Sequence, residues 1–271
     1  MIKEESKVHI KKGVREMIDI HCHILPTVDD GAKHMEESVQ MARQAVAQGI
    51  HTIIATPHHL NGSYENVKLE IVENVHRLND RLQEEEIPLT ILPGQETRIN
   101  GEMITDLERG HLLPLNDTSG YLFVELPSNH VPRYTKKLLF DLQVQGVKPI
   151  IVHPERNKEI IENPDILYEL VRDGTLTQVT AASVAGKFGK KIQRFSNQLI
   201  ESNLTHFVAS DAHNTTTRRF CMSEANGEIK DNFGNSMVYW FMENAQLLVE
   251  GKTVVGDVPQ PIKKKRFLGL F

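Results

Sequence analysis

MIDIHCHILPTVDD, residues 17–30, is a short apolar run that ends in His-Cys-His and is followed within a few residues by two adjacent carboxylates. A run of this kind reads as a β-strand, in which successive side chains point to opposite faces. His21 and His23 then share one face and Cys22 takes the other. Two chemistries compete for the stretch: a metal held between the imidazoles, or a redox cysteine flanked by histidines. The choice depends on what the rest of the chain brings to the same place.

Six further runs resemble the first: HTIIAT (51–56), LTILPGQE (89–96), YLFVEL (121–126), KPIIVH (148–153), LTQVTA (176–181) and HFVASD (206–211). Stretches of helical period lie between them. EESVQMARQAVAQG (36–49) sets Val39, Ala42, Ala45 and Val46 on one face and closes on Gly49; similar helices are predicted at 65–86, 133–145, 164–173 and 187–202. Strands alternating with helices predict βαβ units and a parallel sheet. A single α/β barrel fits a chain of 271 residues that is 39% hydrophobic. Residues 97–118, with Gly101, Gly110 and Pro114, read as an irregular excursion. No Pro-, Gly- or Ser-rich linker divides the chain, so one domain is expected over 17–255, between an N-terminal extension (1–16) and a tail (256–271).

A net charge of -5 and a pI near 6.2 argue against a nucleic-acid backbone as the main partner. Two cysteines, Cys22 and Cys221, are too few for a disulfide framework, and no apolar run is long enough to span a bilayer. The first sixteen residues are charged and lack the apolar stretch of an export signal. The expectation is a reduced, cytoplasmic protein, with room for a homo-oligomer. PQPIKKKRFLGLF, at the C-terminus, reads as a solvated tail whose aromatics pack back on the body; the alternative is a weak contact with an anionic membrane or a partner protein.

Laying the ionisable residues on the strand map gives a pattern. The first strand ends in His21 and His23, the second runs into Pro57-His58-His59, and the third ends at Glu96. The fourth ends at Glu125, the fifth at His153, and the seventh at Asp211 and His213. In a parallel barrel these carboxyl ends open on one face, where active sites form. Imidazoles with bridging carboxylates suit Zn, Mn or Fe, and paired metals clamp the attacking and leaving oxygens in phosphate-ester hydrolysis. A cysteine phosphatase would need an arginine six residues after its nucleophile, but Val28 follows Cys22 and Gly227 follows Cys221 at that distance. Arg156, Arg218 and Arg219 lie just beyond the candidate ligands, with Arg133 at a helix start, and guanidinium groups bind phosphate oxygens in bidentate fashion.

HCH, ATPHH, GQE, the glutamate of VEL, HPER and SDAH together resemble the PHP (polymerase and histidinol phosphatase) superfamily. IDIHCHILPTVDDGA, TIIATPHH, LPGQE, IVHPERN and HFVASDAHN are more closely similar to the manganese-dependent tyrosine-protein phosphatases of the CpsB/CapC group, in particular its YwqE-type branch. The resemblance implies a distorted (β/α)7 TIM-like barrel and a centre of three Mn2+ ions, with Fe or Zn as other occupants. It also implies removal of phosphate from tyrosines on bacterial tyrosine kinases and their targets, in control of capsule or exopolysaccharide synthesis. Carried over by position, His21, His23, Glu96 and Asp211 hold one ion, and Glu96 bridges to a second held with Glu125 and His153. Asp30, His58 and His213 hold the third, Arg156 and Arg218 lie near the phosphate, and His59 receives no role.

The mechanism expected is in-line attack on phosphorus by hydroxide that the ions activate, with no phosphoenzyme. Two other readings compete. One is a PHP phosphoesterase for a small metabolite such as histidinol phosphate. The other is a catalytically silent kinase-binding module, which should have lost ligands; here every ligand position is occupied by a residue able to coordinate metal.

Overall fold

The computed structural model describes residues 17–262, so the N-terminal extension (1–16) and the basic end of the tail (263–271) lie outside the described residues. Each of the seven apolar runs forms a strand, two of them in two pieces. The order is β1 (Met17–Cys22), β2 (Ile50–Ala55), β3 (His58–His59), β4 (Thr90–Pro93), β5 (Glu96–Arg98), β6 (Tyr121–Glu125), β7 (Lys148–Val152), β8 (Leu176–Thr180) and β9 (Phe207–Ala209). All pairings are parallel, in the orders β1-β2-β4 and β3-β5-β6-β7-β8-β9.

The two sheets form one wall. Ala55 pairs with Pro93 and His58 with Glu96, the same offset, so the second and third runs break side by side and resume in register. Pro57 has no N–H to offer the ladder at the break. Opposite it, a Cβ on Gly94 would lie 2.6 Å from Ile54 Cγ2, so only glycine fits. The ring closes where β1 meets the segment after β9: Asp211 N donates to His21 O at 2.8 Å and His23 N to Ala212 O at 2.9 Å. The 97–118 excursion laces a gap in the wall, with Asn116 N donating to Pro93 O (2.7 Å) and Leu115 N to Tyr121 O (2.8 Å). This is a distorted seven-stranded parallel α/β barrel, the class expected.

Inside it pack Ile18, Ile20, Ile54, Tyr121, Phe123, Ile150, Val152, Phe207 and Ala209. The alternate residues, Ile53, Ala55, Leu122, Val124, Ile151 and Val208, pack outward under the helices. The predicted helices are α1 (Met35–Ala47), α2 (Lys68–Glu84), α4 (Thr135–Val144), α6 (Asp165–Arg172) and α8 (Lys190–Glu201). The sequence reading did not place α3 (Met103–Glu108), α5 (Lys158–Glu162), α7 (Ala181–Val184), α9 (Met222–Phe233) or α10 (Asn235–Val249). Ala245 and Leu248 of α10 join the interior cluster, and Tyr121 Oη donates to Lys252 O at 2.6 Å beside them. α10 thus covers the end of the barrel opposite the donor-bearing strand ends.

Candidate metal centre

β1 carries a bulge at the place where the chemistry begins. Its pairing with β2 steps from Asp19↔Ile53 to Cys22↔Ala55, so one extra residue enters β1. Strict alternation would put Ile18, Ile20 and Cys22 on one face. The bulge re-aims the strand, so Ile20 and His21 both face inward and Cys22 joins the outer cluster. The Cys22 thiol is buried and donates to Ala212 O, and burial pushes its pKa well up. It is a packing residue.

The other donors arrive by similar local departures. His58 and Glu96 open the strand pieces that follow the shared break, and Glu125 ends β6 on the inward face. His153 (φ +37°) and Asp211 (φ +52°) adopt left-handed backbone, sparsely populated by non-glycine residues and common at functional sites. Gly31 keeps the loop after β1 tight: a Cβ there would lie 2.1 Å from His23 O.

Three sets of side chains bring ligand atoms within 4.8 Å of one another: His21, His23 and Glu96; His58, Glu96 and Glu125; and His23, Asp30, His58 and His213. In the first, His21 Nε2 and His23 Nε2 are 3.3 Å apart and lie 3.4 and 3.3 Å from Glu96 Oε2. Asp211 Oδ1 faces the same nitrogens at 3.6 and 3.4 Å. Ligands about 2.1 Å from one ion stand about 3.0–3.4 Å apart, which is this spacing. Glu96 belongs to two sets, as a bridging carboxylate would. His153 Nε2 reaches its other oxygen at 2.8 Å, while His58 spans from Glu96 Oε2 (2.8 Å) to Asp30 Oδ1 (3.4 Å).

The hydrogen bonds behind the histidines decide what these nitrogens offer. His21 Nδ1 donates to Gln178 Oε1 (2.8 Å), His23 Nδ1 to Asp29 Oδ2 (2.6 Å) and His213 Nδ1 to the Asp211 carbonyl (3.0 Å). Each ring therefore turns its Nε2 to the mouth, where carboxylate oxygens face it. Burial opposes a charge on His23, but Asp29 and Asp211 raise its pKa well above the ordinary imidazole value, so these carboxylates call for a cation at the ring, a proton or a metal ion. Ring orientation by an acceptor on the far nitrogen is the usual support of a metal-ligating histidine. Glu96 Oε2 and His58 Nδ1, although 2.8 Å apart, are buried without a well-directed hydrogen bond, as are Glu125 Oε2 and His213 Nε2. The residues present fit a multinuclear metal site.

Charge follows the same geometry. Burial and then Arg156 bring the His153 pKa down to about 4, and burial and then His23 do the same for His213. Burial and the neighbouring Glu96 push Glu125 up to about 7. Burial opposes ionisation of Glu96 and Asp211, but His58 and His21 hold the first, and Arg156 and His21 the second, well below the carboxylate range.

Arg156 Nη2 pairs with Asp211 Oδ2, and Arg218 reaches Asp211 and Asp30 at 3.3 Å. Both arginines line a cavity of about 280 Å³ with His58, Glu125, His153 and Asp211. The structure thus brings all nine candidate ligands and both arginines to one mouth. His59 is buried away from it, Arg133 is exposed, and Arg219 pairs with Glu224 at 2.9 Å. Three residues beside the donors were missed: Asp29 and Gln178 behind the histidines, and Arg98, paired with Glu125 at 2.9 Å. Gln178 was legible, because it sits at an inward position of the one strand that ends in no acid or histidine.

These features define a parallel α/β barrel whose mouth has the donor chemistry of a multinuclear metal site and two arginines placed for an anion. The chain belongs to the CpsB/CapC family: the family model described as capsular polysaccharide synthesis, CpsB/CapC, matches residues 17–250. It is 52% identical over 255 residues to tyrosine-protein phosphatase YwqE of Bacillus subtilis, covering 94% of this chain and 100% of the relative. A YwqE crystal structure, presented with Streptococcus pneumoniae CpsB as unique metal-dependent tyrosine phosphatases, superposes with a TM-score of 0.89 at 53% identity, over 92% of this chain and 100% of the other. The putative tyrosine-protein phosphatase CapC of Staphylococcus aureus is 38% identical over 94% of this chain and 100% of its own length. At the level of fold alone, the phosphotriesterase homology protein of Escherichia coli matches with a TM-score of 0.56 at 10% identity, over 86% of this chain and 99% of that one.

Proposed function

We propose that this chain is a metal-dependent protein-tyrosine phosphatase that acts in the cytoplasm on bacterial tyrosine kinases and their targets, in regulation of capsule or exopolysaccharide synthesis. One observation carries the reading: the Nε2 atoms of buried, back-bonded histidines converge on buried carboxylates beside two arginines. The activity named for the Bacillus subtilis relative supports it. His21, His23, Glu96 and Asp211 would hold one ion, Glu96, Glu125 and His153 a second, and Asp30, His58 and His213 a third, with Mn2+ the proposed occupant. Bound ions supply Lewis acidity and activate water for attack on phosphorus.

The chain's own residues do the rest. Arg156 and Arg218 line the cavity and pair with Asp211, leaving N–H groups for the nonbridging oxygens of a phosphate monoester. Gln178 and Asp29 hold His21 and His23 in one tautomer. A phenolate leaves without strong acid assistance. Neither cysteine competes as nucleophile, because both thiols are buried and burial raises both pKa values.

The purified full-length protein tests the proposal through its metal content and its turnover of a phosphotyrosine peptide, a phosphoserine peptide and histidinol phosphate. Phosphotyrosine turnover that disappears on chelation and returns with Mn2+ is expected. Full activity after chelation, a trapped phosphocysteine, or preference for histidinol phosphate would overturn it.

A further inference from the structure

A second cavity, of about 180 Å³, abuts the catalytic one across Asp211 and Arg218, which line both. Its outer wall includes Lys187, Phe188, Thr216 and Thr217. Phe188 is 39% exposed, and among the exposed large hydrophobic side chains of the described residues it alone lines either cavity. Its loop joins α7 to α8 between Gly186 (φ +76°) and Gly189 (φ +89°), and Lys187 N donates to Ala182 O at 2.9 Å. The ring is therefore held by a tight turn. The Arg156 guanidinium carbon lies 5.5 Å from the ring centre, a cation–π arrangement.

One guanidinium thus has an anion side and an aromatic side: its Nη2 pairs with Asp211 while the group lies over Phe188. In an aryl phosphate monoester the ring begins one ester oxygen from phosphorus. A phosphate held by Arg156 and Arg218 therefore places its aryl group within reach of the wall that Phe188 supplies. We propose that Phe188 is a specificity-determining residue that stacks with the aromatic ring of the leaving group, making the second cavity the aryl subsite of the phosphatase. This rests on the phosphatase reading above and names the chemistry that separates phosphotyrosine from alkyl phosphates at this centre.

Competitive inhibition of the metal-loaded protein tests it, with phenylphosphonate and inorganic phosphate as paired probes and Phe188→Ala, Phe188→Leu and Phe188→Tyr as variants. An aromatic pair contributes about a two- to tenfold change in binding. Phenylphosphonate inhibition should weaken by about that factor in Phe188→Ala and by less in Phe188→Leu, and should stay near wild type in Phe188→Tyr. Inhibition by inorganic phosphate should not change. Unchanged phenylphosphonate inhibition in Phe188→Ala overturns the subsite, as does an equal loss for both probes, which would mean that the ring acts only by placing Arg156. Failure of wild-type protein to hydrolyse a phosphotyrosine peptide would instead sink the phosphatase reading.

Discussion

Asp29→Asn probes the support beneath the candidate metal centre. Asp29 Oδ2 accepts from His23 Nδ1 at 2.6 Å and from His58 N at 3.1 Å, and Oδ1 accepts from Gly31 N at 2.9 Å. Burial opposes its ionisation, but His23 holds its pKa below the usual carboxylate value. Every neighbour is a donor, so an asparagine must turn its NH2 toward one of them. If it turns to Gly31, one donor faces another and His23 keeps only a neutral acceptor. If it turns to His23, the imidazole must carry its proton on Nε2, the atom that faces Glu96 and Asp211. Losing a charge-assisted hydrogen bond costs about 1.5–3 kcal/mol. That corresponds to about a 10- to 100-fold loss in metal affinity, the usual effect of removing a carboxylate behind a ligating histidine. Mn2+ affinity measured by competition with a chelator, together with metal stoichiometry, reads the change. Circular dichroism establishes that the variant is folded. A folded Asp29→Asn protein with wild-type Mn2+ affinity would refute the argument that this carboxylate sets the tautomer of His23.

Gly94→Ala places a methyl group 2.6 Å from Ile54 Cγ2 and 3.0 Å from Leu115 Cδ2. It should destabilise the protein by about 1–3 kcal/mol in urea unfolding; an unchanged midpoint would show that the strand break tolerates a side chain. His206 accepts from Thr177 N at 3.2 Å, and burial brings its pKa from 6.5 down to about 4. The unfolded chain binds the extra proton first, so this contribution is full above pH 6.5 and is lost as pH falls toward about 4. The loss reaches about 2 kcal/mol by about pH 5. His206→Gln should show a correspondingly shallower decline over that window, and parallel curves for the two proteins would count against it.

Much of the barrel was legible because each strand was announced by its own apolar run. The site was legible for a different reason: His, Asp and Glu at strand ends are recognisable by chemistry whatever their phase. Phase alone would have misled. Ile20 and His21 both face inward only because β1 bulges between Asp19 and Cys22. His153 follows the inward-facing Val152 and reaches Glu96 from left-handed backbone. None of this can be read from one strand, since a bulge is a property of a pairing and a left-handed residue reflects what surrounds it. The same limit hid Asp29, which next to Asp30 looks interchangeable in sequence. In the structure Asp30 stands 45% exposed at the rim, whereas the Asp29 side chain is fully buried against His23.

Apart from a register shift between Met17 and Ile18 at the far end of β1, the departures from regular strand geometry gather at one end of the barrel. The bulge in β1, the paired break at Pro57 and Gly94, and the left-handed His153 and Asp211 all lie at the mouth. A regular parallel strand turns only alternate residues inward, so a single end gives the interior one donor. Bulging β1 lets His21 and His23 follow Ile20 on the inner face, and the breaks let His58 and Glu96 resume side by side, still in register. Left-handed backbone at Asp211 puts its carboxylate against His21, His23 and both arginines. Irregular backbone is therefore how a seven-stranded wall supplies enough donors for several ions. The supporting groups come from the positions left over: Gln178 from the inner face of β8, whose end carries no donor, and Asp29 from the loop after β1.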